Sequence, residues 1–146
     1  MAGLIEGLDA GRVRVNLERV REVAGPDVEI LAATKYVALE EMGVLAEAGV
    51  ELVGENRLQD LEAKRQRWGD AFAWDFIARG PVRVAGLMTM PPESSDPEAS
   101  RRHFARLAEL AAEHGLERLS MGTSQDWEVA VEEGATIVRL GTILYI

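Results

Sequence analysis

Cysteine is absent and histidine occurs only twice, as His103 and His114, in a chain of 146 residues. Disulfide staples, thiol nucleophiles and Cys/His zinc sites therefore have no material, and a Ser-His-Asp triad has little. Metal chemistry would rest on carboxylates alone. Aromatic residues make up 5% of the chain, and the three tryptophans, Trp68, Trp74 and Trp127, lie far apart, which suits packing better than a stacking platform for bases. Positive charge is in deficit, with 16 Lys+Arg against 25 Asp+Glu and a formal charge of -9. A phosphate backbone or an anionic lipid surface would be repelled on average, so neither nucleic acid nor a membrane is expected as a partner. No apolar run approaches the ~20 residues that span a bilayer, and residues 1–9 lack a basic stretch followed by an apolar one. These features describe a soluble, cytoplasmic protein.

What is present is an ordinary core composition, 47% apolar and 28% charged, which fits one domain. The length excludes an ordinary (β/α)8 barrel, which takes about 250 residues and rarely fewer than about 200. Along the chain, Val13, Leu17, Val20 and Ala24 recur at helical spacing within residues 9–24, and Gly25-Pro26 stops that helix. Residues 28–34 form an apolar, β-branched run with Lys35 at its end, as a buried strand would. Helices are expected over 39–48, 57–67, 97–114 and 125–133, and strands over 50–53, 72–77, 82–88, 116–121 and 136–140. Ser95 with Glu98 has capping-box spacing, and Asp96 is the alternative cap before Pro97. Strand alternating with helix, with glycine marking helix ends, is the pattern of an α/β fold with a parallel sheet. Residues 78–81 break it, because paired parallel strands need a crossover of about a dozen residues.

Ligands of such folds bind at the C-terminal ends of the strands. Standing there are Lys35, Glu55-Asn56-Arg57, Thr89, Gly122-Thr123-Ser124 and Gly141-Thr142. Ser124 follows a Gly-Thr turn at a helix start, where its hydroxyl and the first free N–H groups could face a phosphate, as could the Gly141-Thr142 turn. A helix-capping serine without a ligand is the alternative for Ser124. Lys35, just past a buried strand, is placed for partial desolvation and Schiff-base chemistry, against the alternative of a solvated lysine at a loop start. Arg139 puts a guanidinium inside a strand that should be buried, so it needs an acceptor, either a carboxylate such as Glu55 or a ligand. His103 and His114 fall on a helix remote from the strand ends and read as surface residues.

Six motifs, Ala32-Ala33-Thr34-Lys35, Gly54-Glu55-Asn56-Arg57, Trp74-Asp75-Phe76-Ile77, Gly86-Leu87-Met88-Thr89-Met90, Leu119-Ser120-Met121-Gly122-Thr123-Ser124-Gln125-Asp126 and Val138-Arg139-Leu140-Gly141-Thr142, stand in one order over nearly the whole chain. Together they resemble the pyridoxal-phosphate homeostasis protein family, single barrels similar to the N-terminal domain of bacterial alanine racemase. The resemblance implies pyridoxal 5'-phosphate as cofactor and Lys35 as the lysine that forms a Schiff base with it. It matches Ser124, Gly141 and Thr142 to the phosphate-binding turns and Arg139 to the arginine facing the pyridine nitrogen. Such an arginine disfavours ring protonation and makes the cofactor a poorer electron sink. Asn56 falls in the family's second-strand loop near the cofactor.

The chain also departs from the family, whose third strand runs on through Ile-Gly-His-Leu-Gln before two further βα units. Here Ile77 is followed directly by Ala78-Arg79-Gly80-Pro81-Val82, so the fourth and fifth strands are expected to be missing and the last helix is cut off at Ile146. The expected architecture is a shortened TIM-like (β/α) barrel of about six parallel strands in one domain, 1–146, with halves 1–77 and 82–146 joined at 78–81. Residues 72–88 would form an extended bridge of at most about 56 Å, with the halves exchanged or set face to face in a homodimer. A small closed barrel with exposed edges is the alternative. The functional expectation is a non-catalytic pyridoxal-phosphate binding protein of homeostasis or carrier type. The alternatives are a barrel remnant, natural or engineered, that self-associates without the ligand, and an amino-acid racemase, against which stands the lack of a second domain bearing an opposing base.

Overall fold

Asp9 starts the regular structure: its carboxylate accepts a hydrogen bond from Arg12 N at 2.7 Å and caps helix α1, Ala10–Ala24. A computed structural model describes residues 5–55, 58–76 and 84–146. After α1 come β1 (Glu29–Ala33), α2 (Met42–Glu47, led by a 3-10 turn at Leu39–Glu41), β2 (Leu52–Glu55), α3 (Leu58–Trp68) and β3 (Ala73–Phe76). Then follow β4 (Gly86–Met88), α4 (Arg101–Glu113), β5 (Arg118–Ser120), α5 (Trp127–Glu132), β6 (Ile137–Leu140) and a final turn of helix, α6 (Thr142–Tyr145).

The six strands form one parallel sheet in the order β3-β2-β1-β6-β5-β4. The sheet curls into a half-barrel, so that Asp75 of one edge strand and Gly86 of the other line a single cavity with Leu31 and Ala33 of central β1. The expected fold class, an α/β barrel-like domain of six parallel strands, is what the chain forms. The connection at 78–81, which looked too short for a crossover, lies outside the described residues. Its ends explain the difficulty, since β3 and β4 are opposite edges of the sheet rather than paired neighbours, and no crossover between paired strands is required there.

The core lies between the convex face of the sheet and the helices. Val13, Leu17 and Val20 of α1, Met42 and Leu45 of α2 and Phe104 of α4 meet Ala32, Val53, Val138 and Leu140 from the strands. Trp127 is buried in this cluster and Trp68 and Trp74 pack against it, which is the packing role their spacing suggested. His114 is exposed and His103 half-buried on α4.

Several boundaries differ from the sequence expectation. β2 begins at Leu52 and extends through Glu55, because its ladder with β3 runs from Leu52↔Ala73 to Glu55↔Phe76. The cap before α4 is Asp96, whose Oδ1 accepts from Glu98 N at 3.1 Å, while Ser94 rather than Ser95 bonds the Asp96 amide. α5 begins at Trp127, so Ser124 is not its cap.

Gly122 combines a close approach with a left-handed backbone. Gly122, at the end of β5, has φ +90, and a Cβ there would sit 2.7 Å from Ala130 Cβ. Its carbonyl accepts from Arg139 N at 3.0 Å, so it cannot shift without disturbing β6. Gly122→Ala combines a left-handed backbone with a clash and should destabilise the fold by at least about 2 kcal/mol, read as a lower urea midpoint.

Candidate functional site

The concave face carries a cavity of about 470 Å3 at the C-terminal ends of the strands. Strand alternation decides who faces it. Along β1 and its continuation, Leu31, Ala33 and Lys35 line the cavity, whereas Ala32 and Thr34 are fully buried toward the helices. Along β6, Ile137 and Arg139 line it while Val138 and Leu140 join the core. Lys35 is the second residue of a turn closed by Val37 N donating to Thr34 O at 2.9 Å. Its side chain is exposed, with Nζ 4.7 Å from the Tyr36 ring centroid, so of the two placements open to it the fold supplies the solvated lysine at a loop start. The strand ends one residue earlier and the turn lifts the amine to the cavity rim.

Arg139 is half-buried on the cavity wall. Its guanidinium donates to Ser120 O at 2.7 Å, Ser120 Oγ at 2.8 Å and Thr89 O at 2.9 Å. Burial lowers its pKa from the ordinary value, with the charges of Asp126 and Asp75 acting in opposition, and a guanidinium remains charged in any case. Glu55, the carboxylate considered as its acceptor, does not pair with it. β2 alternation turns that side chain to the opposite side of the sheet, and neutral oxygens of β5 and of the residue after β4 take its place.

Ser124 turns its hydroxyl to the end of β6, where Gly141 N and Ile143 N each donate to Oγ at 3.4 Å. The turn that carries it is held by Asp126, which accepts from Thr123 N at 2.8 Å and from Thr123 Oγ1 at 3.1 Å. Thr123 lines the cavity, and Ser124, Gly141 and Thr142 stand immediately behind it in the same two turns. The structure thus brings Lys35 and Arg139 to one cavity and gathers Ser124 with the Gly141–Thr142 turn beside it. Asn56 lies outside the described residues.

Sequence reasoning missed a buried ionic group behind Lys35. Glu55 and Lys64 are 4% and 5% exposed and form a close ion pair through Glu55 Oε1. The same oxygen accepts from Thr34 Oγ1 at 2.8 Å, and Lys64 Nζ donates also to Thr34 O at 2.6 Å. Glu55 Oε2 has no hydrogen-bond partner among the described residues. Tyr145 adds a third tie, its hydroxyl donating to Ala33 O at 3.1 Å; burial, with the Glu55 charge adding to it, pushes that hydroxyl well above its usual pKa. A signal existed in the sequence: Lys64 stands three residues after Leu61, on the apolar face of α3, where a solvated lysine has no place.

The fold defines the class first. By structure the chain is similar to PipY of Synechococcus elongatus, solved without and with pyridoxal phosphate, at TM-scores of 0.81 and 0.79 and 21% and 22% identity, covering 92% of this chain and 100% of that one. It is also similar to an unknown protein from Bifidobacterium adolescentis, at TM-score 0.74 and 21% identity, over 99% of this chain and 98% of that one. By sequence it is similar to proteins named pyridoxal phosphate homeostasis protein. The one from Aquifex aeolicus is 53% identical over 70 residues, 44% of this chain and 31% of that protein. The one from Pseudomonas aeruginosa is 47% identical over 66 residues, 44% of this chain and 29% of that protein. The Vibrio cholerae protein is 27% identical over 147 residues, 97% of this chain and 54% of that protein. The matched stretches thus span about half the length of these curated relatives or less, and no family model matches the chain. The resemblance carried by the six motifs is to the pyridoxal phosphate homeostasis proteins in sequence, and the fold is the one that PipY shares.

The buried pair behind Lys35 generates a stability contrast. Lys64→Met leaves the Glu55 carboxylate buried without its counter-charge and should cost about 3–5 kcal/mol in urea denaturation. Adding Glu55→Gln removes the stranded charge and should bring stability back to within about 1 kcal/mol of the parent.

Proposed function

We propose that this chain binds pyridoxal 5'-phosphate without turning over a substrate, as a homeostasis or carrier protein, and holds the cofactor by a Schiff base to Lys35. The observation that carries this reading is a primary amine at the rim of one cavity and a guanidinium fixed on its wall, with the turn whose Gly141 and Ile143 amides meet the Ser124 hydroxyl close beside them. The residues present fit the group. A cavity of about 470 Å3 suits a small cofactor. The amides of Gly141 and Ile143 are satisfied only by a hydroxyl at 3.4 Å, a long contact that an anionic phosphate oxygen would improve on. Ser124, Gly141 and Thr142 would hold the phosphate, and Asn56 joins the cofactor-binding set on the resemblance alone.

When bound, the cofactor supplies an aldehyde that condenses with the Lys35 amine, forming one C=N bond and releasing one water. Arg139 would face the ring nitrogen with a guanidinium already engaged by three oxygens, so it can neither move away nor accept a proton. A fixed positive charge at that position disfavours ring protonation and favours holding the cofactor over using it as an electron sink.

Addition of pyridoxal 5'-phosphate to the protein should produce a violet-region absorbance band, and borohydride should fix the cofactor to Lys35, one of two lysines in the chain. Lys35→Ala should abolish both signals. A colourless protein that takes up no cofactor overturns the reading.

Assembly follows from the sheet edges. Among the described residues β3 and β4 each pair on one side only, and Val84, Met88 and Met90 are exposed beside β4. Open parallel edges flanked by apolar side chains favour a partner, and a second copy set face to face, or exchanging halves, would cover them. Light scattering should report a dimer at micromolar concentration; a monomer there rules the assembly out.

A further inference from the structure

The buried ionic group has a position that stability does not account for. Two charges taken out of water are costly, and an apolar pair of similar volume commonly stabilises a fold as well or better. What Glu55 and Lys64 do that an apolar pair could not is hold polar atoms of the residue before Lys35. Lys64 Nζ donates to Thr34 O at 2.6 Å, and Thr34 Oγ1 donates to Glu55 Oε1 at 2.8 Å. Thr34 N also donates to Gly54 O at 3.1 Å. Thr34 O is in turn the acceptor that closes the turn, receiving Val37 N at 2.9 Å.

We infer that Glu55 and Lys64 are positioning residues for Lys35, acting through Thr34 as a clamp that fixes the turn from which the amine enters the cavity. The geometry is direct. With Thr34 O held by Lys64 and Val37 together, the peptide plane joining Thr34 to Lys35 has no freedom, and Tyr145 holds the preceding carbonyl, Ala33 O, at 3.1 Å. Only the side-chain torsions of Lys35 remain free. A lysine on a loose turn would lose much of its condensation equilibrium to the entropy of ordering that turn, and the clamp meets this cost during folding. The role in cofactor capture rests on the pyridoxal-phosphate reading; the clamp on the turn does not.

The double variant Lys64→Met/Glu55→Gln removes both charges at nearly constant volume, and two ligands separate positioning from general damage. Pyridoxal 5'-phosphate needs Lys35, whereas 4'-deoxypyridoxine 5'-phosphate carries a methyl in place of the aldehyde and cannot condense. The variant should bind the aldehyde about tenfold more weakly and keep its affinity for the deoxy compound within about twofold. Equal losses for both, or no loss for either, overturn the proposal. In the ligand-free protein the Val37 amide should exchange with solvent about tenfold faster in the variant, and unchanged protection also overturns it. If the parent protein binds neither ligand, the pyridoxal-phosphate reading fails, while Val37 exchange still decides the clamp. Thr34→Val, which removes the hydroxyl tie and keeps the ion pair, should show a smaller loss of about threefold for the aldehyde alone. It decides the matter should the double variant not fold, and an unchanged ratio of the two affinities counts against the clamp.

Discussion

Pairing of β1 with β6, in register from Glu29↔Ile137 to Ala32↔Leu140, sets the two strands that carry the chemistry side by side at the middle of the sheet. Parallel pairing also fixes what each strand must do with its two faces. Alternate side chains on the convex side are consumed by the helices, which is why Ala32, Val138 and Leu140 have almost no exposure. The others are left to line a concavity that no helix fills. Leu31 stands level with Arg139 in this register, and the cavity floor is apolar because Leu31, Ala33 and Ile137 are its share of the two strands. A charged group at such a place has to be satisfied from the sheet itself. Arg139 is, through carbonyl and hydroxyl oxygens of its neighbour β5 and of Thr89 beyond β4.

The same logic governs the ends of the strands. Polar atoms that would be idle there are assigned to one another across turns: Asp126 to Thr123, Ser124 to the amides of Gly141 and Ile143, and Glu55 and Lys64 to Thr34. Elsewhere on the surface Arg101 ties Glu98, Glu132 and Glu133 together at 2.7, 2.6 and 2.7 Å, joining the start of α4 to the end of α5. Glu98 and Glu132 are exposed and Arg101 and Glu133 only half-buried, so the interaction is correspondingly weaker per contact than the buried one behind Lys35. The two networks have different consequences. One holds helices in place, and the other holds the backbone that presents an amine.

Much of this was legible from the residues. The run at 28–34 is apolar on both faces, as a strand buried on both faces must be, and a lysine placed directly after it marks a strand end. Arg139 stood out for the same reason in reverse. The acceptors of Arg139 were not legible, because two of the three are backbone carbonyls, which every residue possesses and no sequence pattern distinguishes. Glu55 and Lys64 escaped for a different reason: they face each other between a strand and the following helix, a relation with no fixed spacing, so the position of Lys64 on an apolar helix face names no partner. The cap before α4 was a choice between Ser95 and Asp96, adjacent residues that can both accept from a backbone amide, and only backbone direction separates them. The order of the strands could not be read from periodicity at all. It takes the motifs, matched in order to a family, to suggest that the segment at 86–88 lies beside the one at 118–120 and far from the one at 73–76.

That order bears on why six strands could suffice for a site of this kind. Lys35 extends from β1, Arg139 and Gly141 belong to β6 and its turn, and Ser124 follows β5. These three strands are contiguous in the sheet, and each is paired on both sides. The strands paired on one side only, β3 and β4, contribute wall: Asp75 from one, and Gly86, Leu87 and Met88 from the other. A sheet that ended closer to β1 or β6 would lose an anchoring group together with the pairing that orients it. A sheet ending at β3 and β4 keeps every proposed anchor on a strand with two neighbours, and what it gives up is enclosure. The topology therefore separates two tasks, since the placement of the Lys35 amine, the Arg139 guanidinium and the Gly141 turn depends on the centre of the sheet, while exclusion of water from the cavity depends on whatever covers the edges.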